Sequence, residues 1–170
     1  MKIGLIADTH IMDENQRLQP GVFQVFTGVE LILHAGDVYI PSVLDQLEEI
    51  APVICARGNG DDQLSNDRRV KDAHLLEIEG LSIGLTHGVD YPEPPWRSLE
   101  TAMEYEFGRR VDVLVFGDSH VSLVETYKGI FLVNPGSLTF PNGLVNVPGT
   151  LGILEIVNRE VRAEIIQLKG

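Results

Sequence analysis

Two short stretches far apart in the chain place a carboxylate two residues before an imidazole: "ADTH" carries Asp8 and His10, and "GDSH" carries Asp118 and His120. Between them lie "AGD" with Asp37, "RGNGD" with Asn59 and Asp61, and "THG" with His87. Carboxylate, carboxamide and imidazole groups without thiolates suit manganese, iron, nickel or zinc better than a closed cysteine site would. The donors outnumber what one ion needs, and two adjacent metals would use them. Taken singly, Asp8 and Asp37 could be turn residues accepting backbone hydrogen bonds, and His10, His87 and His120 could be ordinary polar groups at strand ends. Their repeated placement after apolar runs favours a common site.

Those runs are the elements that must hold the donors. "KIGLIA" precedes Asp8, "VELILHA" precedes Asp37, "APVICA" precedes Asn59 and "VDVLVF" precedes Asp118, each reading as a short buried strand. "HLLEIEG" and "LSIGLTHG" read as a hairpin turning near Glu79-Gly80, with His87 at its end. Loops at strand ends can offer ligands while the sheet fixes their bases. A short helix is expected from Pro20, and a second in "IPSVLDQLEEI", where Val43, Leu44, Leu47 and Ile50 fall at helical spacing. A third, in "LETAMEYEFGRR", should end near Gly108. Strand, helix, strand predicts a layered α/β protein with mainly parallel pairing in its first half. "VSLVETYKG", "IFLVNPGS" and a final hairpin around Asn158-Arg159 make the second half richer in strands, and the prolines of "VDYPEPPWRS" predict a loop near a cleft.

A length of 170 residues fits one domain, taken as residues 1–170. With 44% hydrophobic and 22% charged residues the chain has the balance of a folded protein, which excludes disordered and fibrous classes. Against 25 acidic residues stand 13 Lys and Arg, a net charge of −12 that opposes extended nucleic acid and anionic membranes. A small anionic substrate stays admissible, because a bound metal reverses the local potential. The lone Cys55 reads as an apolar filler on a strand. No apolar span has the length to cross a bilayer and the start lacks a signal-like pattern, so a cytoplasmic location is the default expectation.

In order, "ADTH", "AGD", "RGNGD", "THG" and "GDSH" resemble the five motifs of the calcineurin-like metallophosphoesterase superfamily, especially its small single-domain bacterial and archaeal phosphodiesterases. The resemblance covers nearly the whole chain and includes the later "NPGS". It implies the metallophosphoesterase fold, a four-layer α/β/β/α sandwich with two mixed sheets. It also implies one divalent ion held by Asp8, His10, Asp37 and His120, and a second held by Asp37, Asn59, His87 and Asp118, with Asp37 bridging them. The implied reaction is hydrolysis of a small phosphate ester, a phosphodiester in the first place, by hydroxide between the two ions, with Asp37, Asn59 and His87 nearest the chemistry. Manganese is the favoured metal, with Ni2+, Fe2+ and Zn2+ as alternatives. A homodimer is an option that no surface stripe in the sequence marks.

Two positions depart from the family pattern. Gly60 stands where many members have a histidine assigned to leaving-group protonation, which leaves Asp61, another group or water for that task. Asp118 stands where the motif usually has histidine; a carboxylate there is harder and shorter, and should favour manganese or iron, unless it turns away to bind the loop backbone. Arg57 is a candidate phosphate contact, His34 reads as a buried supporting imidazole, His74 has no comparable case, and Tyr91 and Trp96 are candidates for a cleft wall. A non-catalytic interaction module retaining the fold, and a nucleotide phosphomonoesterase, are the alternative functions.

Overall fold

The computed structural model describes residues 1–169. In chain order the elements are β1 (Lys2–Ile6), α1 (Pro20–Val25), β2 (Leu31–His34), α2 (Pro41–Glu48), β3 (Val53–Ala56), β4 (Val70–Lys71), β5 (Ala73–Ile78), β6 (Leu81–Thr86), α3 (Leu99–Phe107), β7 (Val113–Val115), β8 (Leu123–Tyr127), β9 (Ile130–Asn134), β10 (Thr150–Val157) and β11 (Glu160–Gln167). They build two sheets, ordered β11-β10-β1-β2-β3-β4 and β5-β6-β7-β9-β8. Both are mixed. β1 to β4 pair in parallel while β10 and β11 join antiparallel. In the second sheet β6, β7 and β9 run parallel between antiparallel edges β5 and β8.

Period-two burial explains the layers. Leu5 and Leu33 face a core shared with Ile83, Leu85, Val113 and Val115, which lies between the sheets. Ile6 and Ile32 point the other way, onto Val22 of α1 and onto Val43, Leu44 and Leu47 of α2. Leu99 and Met103 of α3 cover Leu114 and Leu132 on the far side of the second sheet. Strands buried on both faces need continuous apolar runs, which is why β1, β2 and β7 read so plainly. The result is the expected α/β/β/α sandwich, with helices few and short.

The turns follow local chemistry. Glu79 and Gly80 have φ of 50° and 76°, and Asn158 and Arg159 φ of 51° and 67°, the left-handed pairs that tight hairpins require. Pro20 and Pro41 open α1 and α2 in the first turn, where no N–H is missed. Ser98 Oγ accepts the Thr101 N–H at 3.2 Å to start α3, and Gly108 at φ 69° ends it. β4 is an addition to the sequence reading: two residues pair with β3 at Cys55↔Val70 and Ala56↔Lys71, too few to show a period. Among the described residues no helix is long and apolar enough to cross a membrane.

Candidate metal centre

Parallel strands deliver their C-terminal ends to one sheet edge, the usual place for a site in such sheets. β1 leads to Asp8 and His10, β2 to Asp37, β3 to Asn59, β6 to His87, and β7 to Asp118 and His120. The first two loops are cross-linked, with the Asp8 N–H donating to Gly36 O at 2.9 Å and the His10 N–H to Asp37 O at 3.1 Å. Asp8, His10, Asp37, Asp118 and His120 all have φ between 48° and 64°. Asp and His tolerate this left-handed region better than most residues, yet five such positions in one cluster represent stored strain of a kind that collects at functional sites.

The side chains converge. Asp8, His10 and His120 offer atoms within 4.8 Å of one another, as do Asp8, Asp37 and His87. His10 Nε2 is 3.8 Å from Asp8 Oδ1 and 3.3 Å from Asp37 Oδ2, while His87 Nε2 is 3.7 Å from Asp37 Oδ1. Asp37 thus shows one oxygen to each imidazole, and Asp8 is common to both groups. Asn59 and Asp118 stand beside His87: Asn59 Nδ2 donates to Asp118 Oδ1 at 3.2 Å, and His87 Nε2 is 3.4 Å from the same oxygen. All seven residues predicted from the sequence therefore belong to one cluster of side chains.

These atoms fit cations. Asp8 Oδ1 and Oδ2, His10 Nε2 and His87 Nε2 are buried without a hydrogen-bond partner among the described residues, a state that costs free energy unless something else binds them. His87 Nδ1 meets Ala35 O at 2.7 Å, so this nitrogen carries a proton and Nε2 is the ring atom turned toward the cluster. Burial pushes the Asp8 carboxyl up, against the pull of His10, His87 and His120. At His10 burial is outweighed by Asp37 and Asp8, which raise the imidazole to about 9. At Asp37 burial is outweighed by His10 and the Gly60 N–H, which bring the carboxyl down to about 2. The shifts at His10 and Asp37 favour a proton on the imidazole beside a charged carboxylate, and a divalent ion bound there would take that proton's place.

Supporting groups surround the donors. His34 is fully buried, and burial pushes its imidazole down to about 3. Its Nδ1 accepts the Gly36 N–H at 3.1 Å, which places the proton on Nε2, 3.4 Å from Thr9 Oγ1. Thr9 donates onward to Asp37 O at 3.3 Å. Asp61 is not placed as a proton donor to a substrate. It is fully buried, with Oδ1 accepting the Val38 and Tyr39 N–H groups at 2.8 Å each and Oδ2 accepting the Gly58 N–H at 2.7 Å.

Two aromatic neighbours had no signal in the sequence. Tyr39 stacks on His10 at 5.0 Å between centroids, and Phe140 lies 5.5 Å from His10 on a different loop. A side chain at position 60 would place its Cβ 1.9 Å from Tyr39 Cε1, so the tyrosine ring fills the space that Gly60 leaves. Arg57 pairs with Asp72 and lines a recess of about 380 Å³ with Asn59, His87 and Asp118. Tyr91 instead packs edge-on against Tyr127 at 5.5 Å, Trp96 is 82% exposed, and His74 Nε2 meets Cys55 O at 2.8 Å.

Comparison with known proteins points the same way. A family model described as the calcineurin-like phosphoesterase superfamily domain matches residues 1–159. A probable metallophosphoesterase of Methanothermobacter thermautotrophicus is 38% identical over 167 residues, covering 98% of this chain and 92% of that one. An archaeal phosphodiesterase of known structure is 25% identical with a TM-score of 0.68, covering 98% of this chain and all of that one, 100%. Vps29 of Chaetomium thermophilum shares the fold with a TM-score of 0.77 at 21% identity, over 99% of this chain and 86% of that one.

Proposed function

Because the chain belongs to the calcineurin-like phosphoesterase superfamily, whose members use divalent metal ions, we propose that it hydrolyses small phosphate esters, phosphodiesters before monoesters, at a centre of two divalent cations. Residues 1–170 form one such domain in this reading. Asp8, His10, Asp37 and His120 would hold one cation, and Asp37, Asn59, His87 and Asp118 the other. The observation that carries it is the set of buried, unpaired donor atoms on Asp8, His10 and His87 aimed into one cluster.

When bound, a cation pair polarises a phosphoryl oxygen and lowers the pKa of an attacking water. The protein's part is placement. Asp37, with one oxygen toward His10 and the other toward His87, would be shared by the two positions and would lower the repulsion between their charges. The Nδ1 proton of His87 is directed to Ala35 O, and Asn59, with its Nδ2 turned to Asp118, would offer its carbonyl oxygen to the cation. Arg57 lies along the recess on that side. Gly60 carries no proton donor and Asp61 is sealed from the cleft, so the reading favours esters whose leaving group needs little protonation. Manganese suits the carboxylate-rich set best, with nickel, iron and zinc as the other candidates. The expected setting is cytoplasmic.

The test is hydrolysis of a model phosphodiester and a matched monoester by metal-free protein given manganese, nickel, iron or zinc separately. Diester turnover restored by a metal supports the reading, and monoester turnover alone would move it to a phosphomonoesterase. No turnover with any metal, in protein shown to be folded, would favour an interaction module. Asp37→Asn should lower metal-dependent turnover by about 100-fold or more.

A further inference from the structure

The segment Asn134-Pro135-Gly136-Ser137 supplies none of the donors described above. It follows β9, which pairs in parallel with β7 at Val115↔Val133, and so it arrives at the same sheet edge as the Gly117 turn. Both of its polar side chains are fully buried. Asn134 Oδ1 accepts the Gly136 N–H at 2.8 Å, and this fixes which way the amide faces. Its Nδ2 then donates to Gly117 O at 2.8 Å and to Ser119 Oγ at 3.1 Å, the residues on either side of Asp118. Gly117 in turn donates its N–H to His87 O at 2.7 Å.

Three residues on, Ser137 faces the other Asp-x-His loop. Its Oγ donates to Asp8 O at 2.8 Å while accepting the Phe140 N–H at 2.9 Å. Thr139 Oγ1 adds a second donor to the same Asp8 carbonyl at 3.2 Å. These two bonds restrain the Asp8-Thr9 peptide, and with it the left-handed turn between Asp8 and His10. The join between the two halves is itself constrained. Gly136 has φ 79°, and a Cβ there would lie 2.2 Å from Thr150 Oγ1, so only glycine carries the chain through.

We infer that Asn134 and Ser137 are positioning residues that couple the two Asp-x-His loops, setting the reach between Asp8 and His10 on one side and Asp118 and His120 on the other. This inference rests on the metal-centre reading above. A donor cluster drawn from five loops needs its loops fixed relative to one another, and a misplaced loop weakens a cation site even when every ligand is present. Four residues do this for both ends at once.

The test uses Asn134→Asp, which keeps the side chain's size and the acceptor for Gly136 but removes the Nδ2 donor, and Ser137→Ala, with Ser137→Thr as the variant that restores the hydroxyl. Manganese binding followed calorimetrically should weaken about 10- to 100-fold in the first two, with recovery in Ser137→Thr. In metal-free protein, amide hydrogen exchange should quicken in 117–121 for Asn134→Asp and in 8–11 for Ser137→Ala. Folded variants that bind manganese as the wild type does, with unchanged exchange in both segments, overturn the coupling. If Ser137→Ala does not fold, Thr139→Val, which removes only the outer of the two donors to Asp8 O, must show the same exchange change in 8–11 or the inference fails. Metal bound without hydrolysis in the wild type would sink the hydrolytic proposal and leave this one standing. No metal bound would sink the metal reading, and the exchange measurement would still decide the coupling.

Discussion

His120 Nε2 lies 3.5 Å from Asp8 Oδ1, so the imidazole of one Asp-x-His stretch meets the carboxylate of the other. Asp118, its own neighbour in sequence, turns instead to Asn59 and His87. The two stretches are complementary parts of one cluster, and each of the two proposed cation positions would draw on both sheets. Neither half of the chain holds all of the proposed donors, and metal binding should therefore depend on the packing of the two sheets together.

The clearest consequence concerns Asp8. Its carboxylate is buried with both oxygens unpaired, and burial raises its pKa. Asp8→Asn removes a charge whose desolvation the metal-free protein has poorly offset. The metal-free variant should melt a few degrees above the wild type, a gain of about 1–2 kcal/mol, while manganese affinity falls about 100-fold or more. Differential scanning calorimetry with and without manganese checks both, and a lower melting point without metal would show that neighbouring groups compensate Asp8 in metal-free protein.

Asp118→His separates ligand from loop organiser. Asp118 has 52% side-chain exposure and lies 3.4 Å from His87 Nε2, close enough to share an ion with it. A softer imidazole there should shift the second position from manganese toward zinc or nickel, by about tenfold in relative affinity. The position built on Asp8, His10 and His120 should keep its affinity. Competitive metal titration reads both, and selectivity equal to the wild type's at both positions would leave Asp118 as a turn residue.

What the sequence made legible, and what it did not, divides along the range of the interactions. β1, β2 and β7 were plain because a strand buried on both faces must be apolar throughout. The hairpin at Glu79-Gly80 followed from turn chemistry, as did the prolines that open α1 and α2. The seven candidate donors stand out in the sequence because each follows an apolar run. β4 was not, since two residues carry no period. Tyr39 and Phe140 come to His10 from separate loops, and no spacing encodes that meeting. The burial of Asp61 also escaped the sequence: an acidic residue in a glycine-rich turn reads as exposed until its three backbone donors are in place. "NPGS" was visible as a motif, but its two hydrogen-bonding directions depend on β9 lying beside β7.

Glu93 gives a pH prediction away from the metal cluster. It accepts the Leu99 N–H at 2.8 Å, the Tyr127 hydroxyl at 2.9 Å and Lys128 Nζ at 3.0 Å. The Leu99 N–H first, then Lys128 and Tyr127, hold its carboxyl down from an ordinary 4.5 to about 2. A folded-state pKa below the unfolded one means that the unfolded chain binds more protons in this range, so stability rises with pH. The contribution is complete above about 4.5 and is lost as pH falls toward about 2. Glu93→Gln should therefore flatten the acid limb of stability across that window. Trp96, the single tryptophan, lies in the loop that Glu93 ties down, and its fluorescence during acid titration follows the release; identical limbs in the two proteins would remove Glu93 from the account.

Asp61 should behave opposite to Asp8, although both are fully buried aspartates beside the same cluster of candidate donors. The difference is pairing. Asp61 spends its oxygens on the Val38, Tyr39 and Gly58 N–H groups, so its charge is met by three donors that would otherwise be unsatisfied. In Asp61→Asn whichever atom becomes nitrogen turns a donor toward a donor, and at least one charge-assisted bond is lost. The expected cost is about 1.5–3 kcal/mol, a fall of roughly 3–12 °C in melting temperature for a chain of this size. Metal affinity should fall with it, because these bonds join the loop of Asp37 to the loop of Asn59. Side-by-side melting of metal-free Asp8→Asn and Asp61→Asn is the decisive measurement. Shifts of opposite sign confirm that one carboxylate is kept for a cation and the other for the backbone, and a destabilised Asp8→Asn paired with a neutral Asp61→Asn would reverse the assignment.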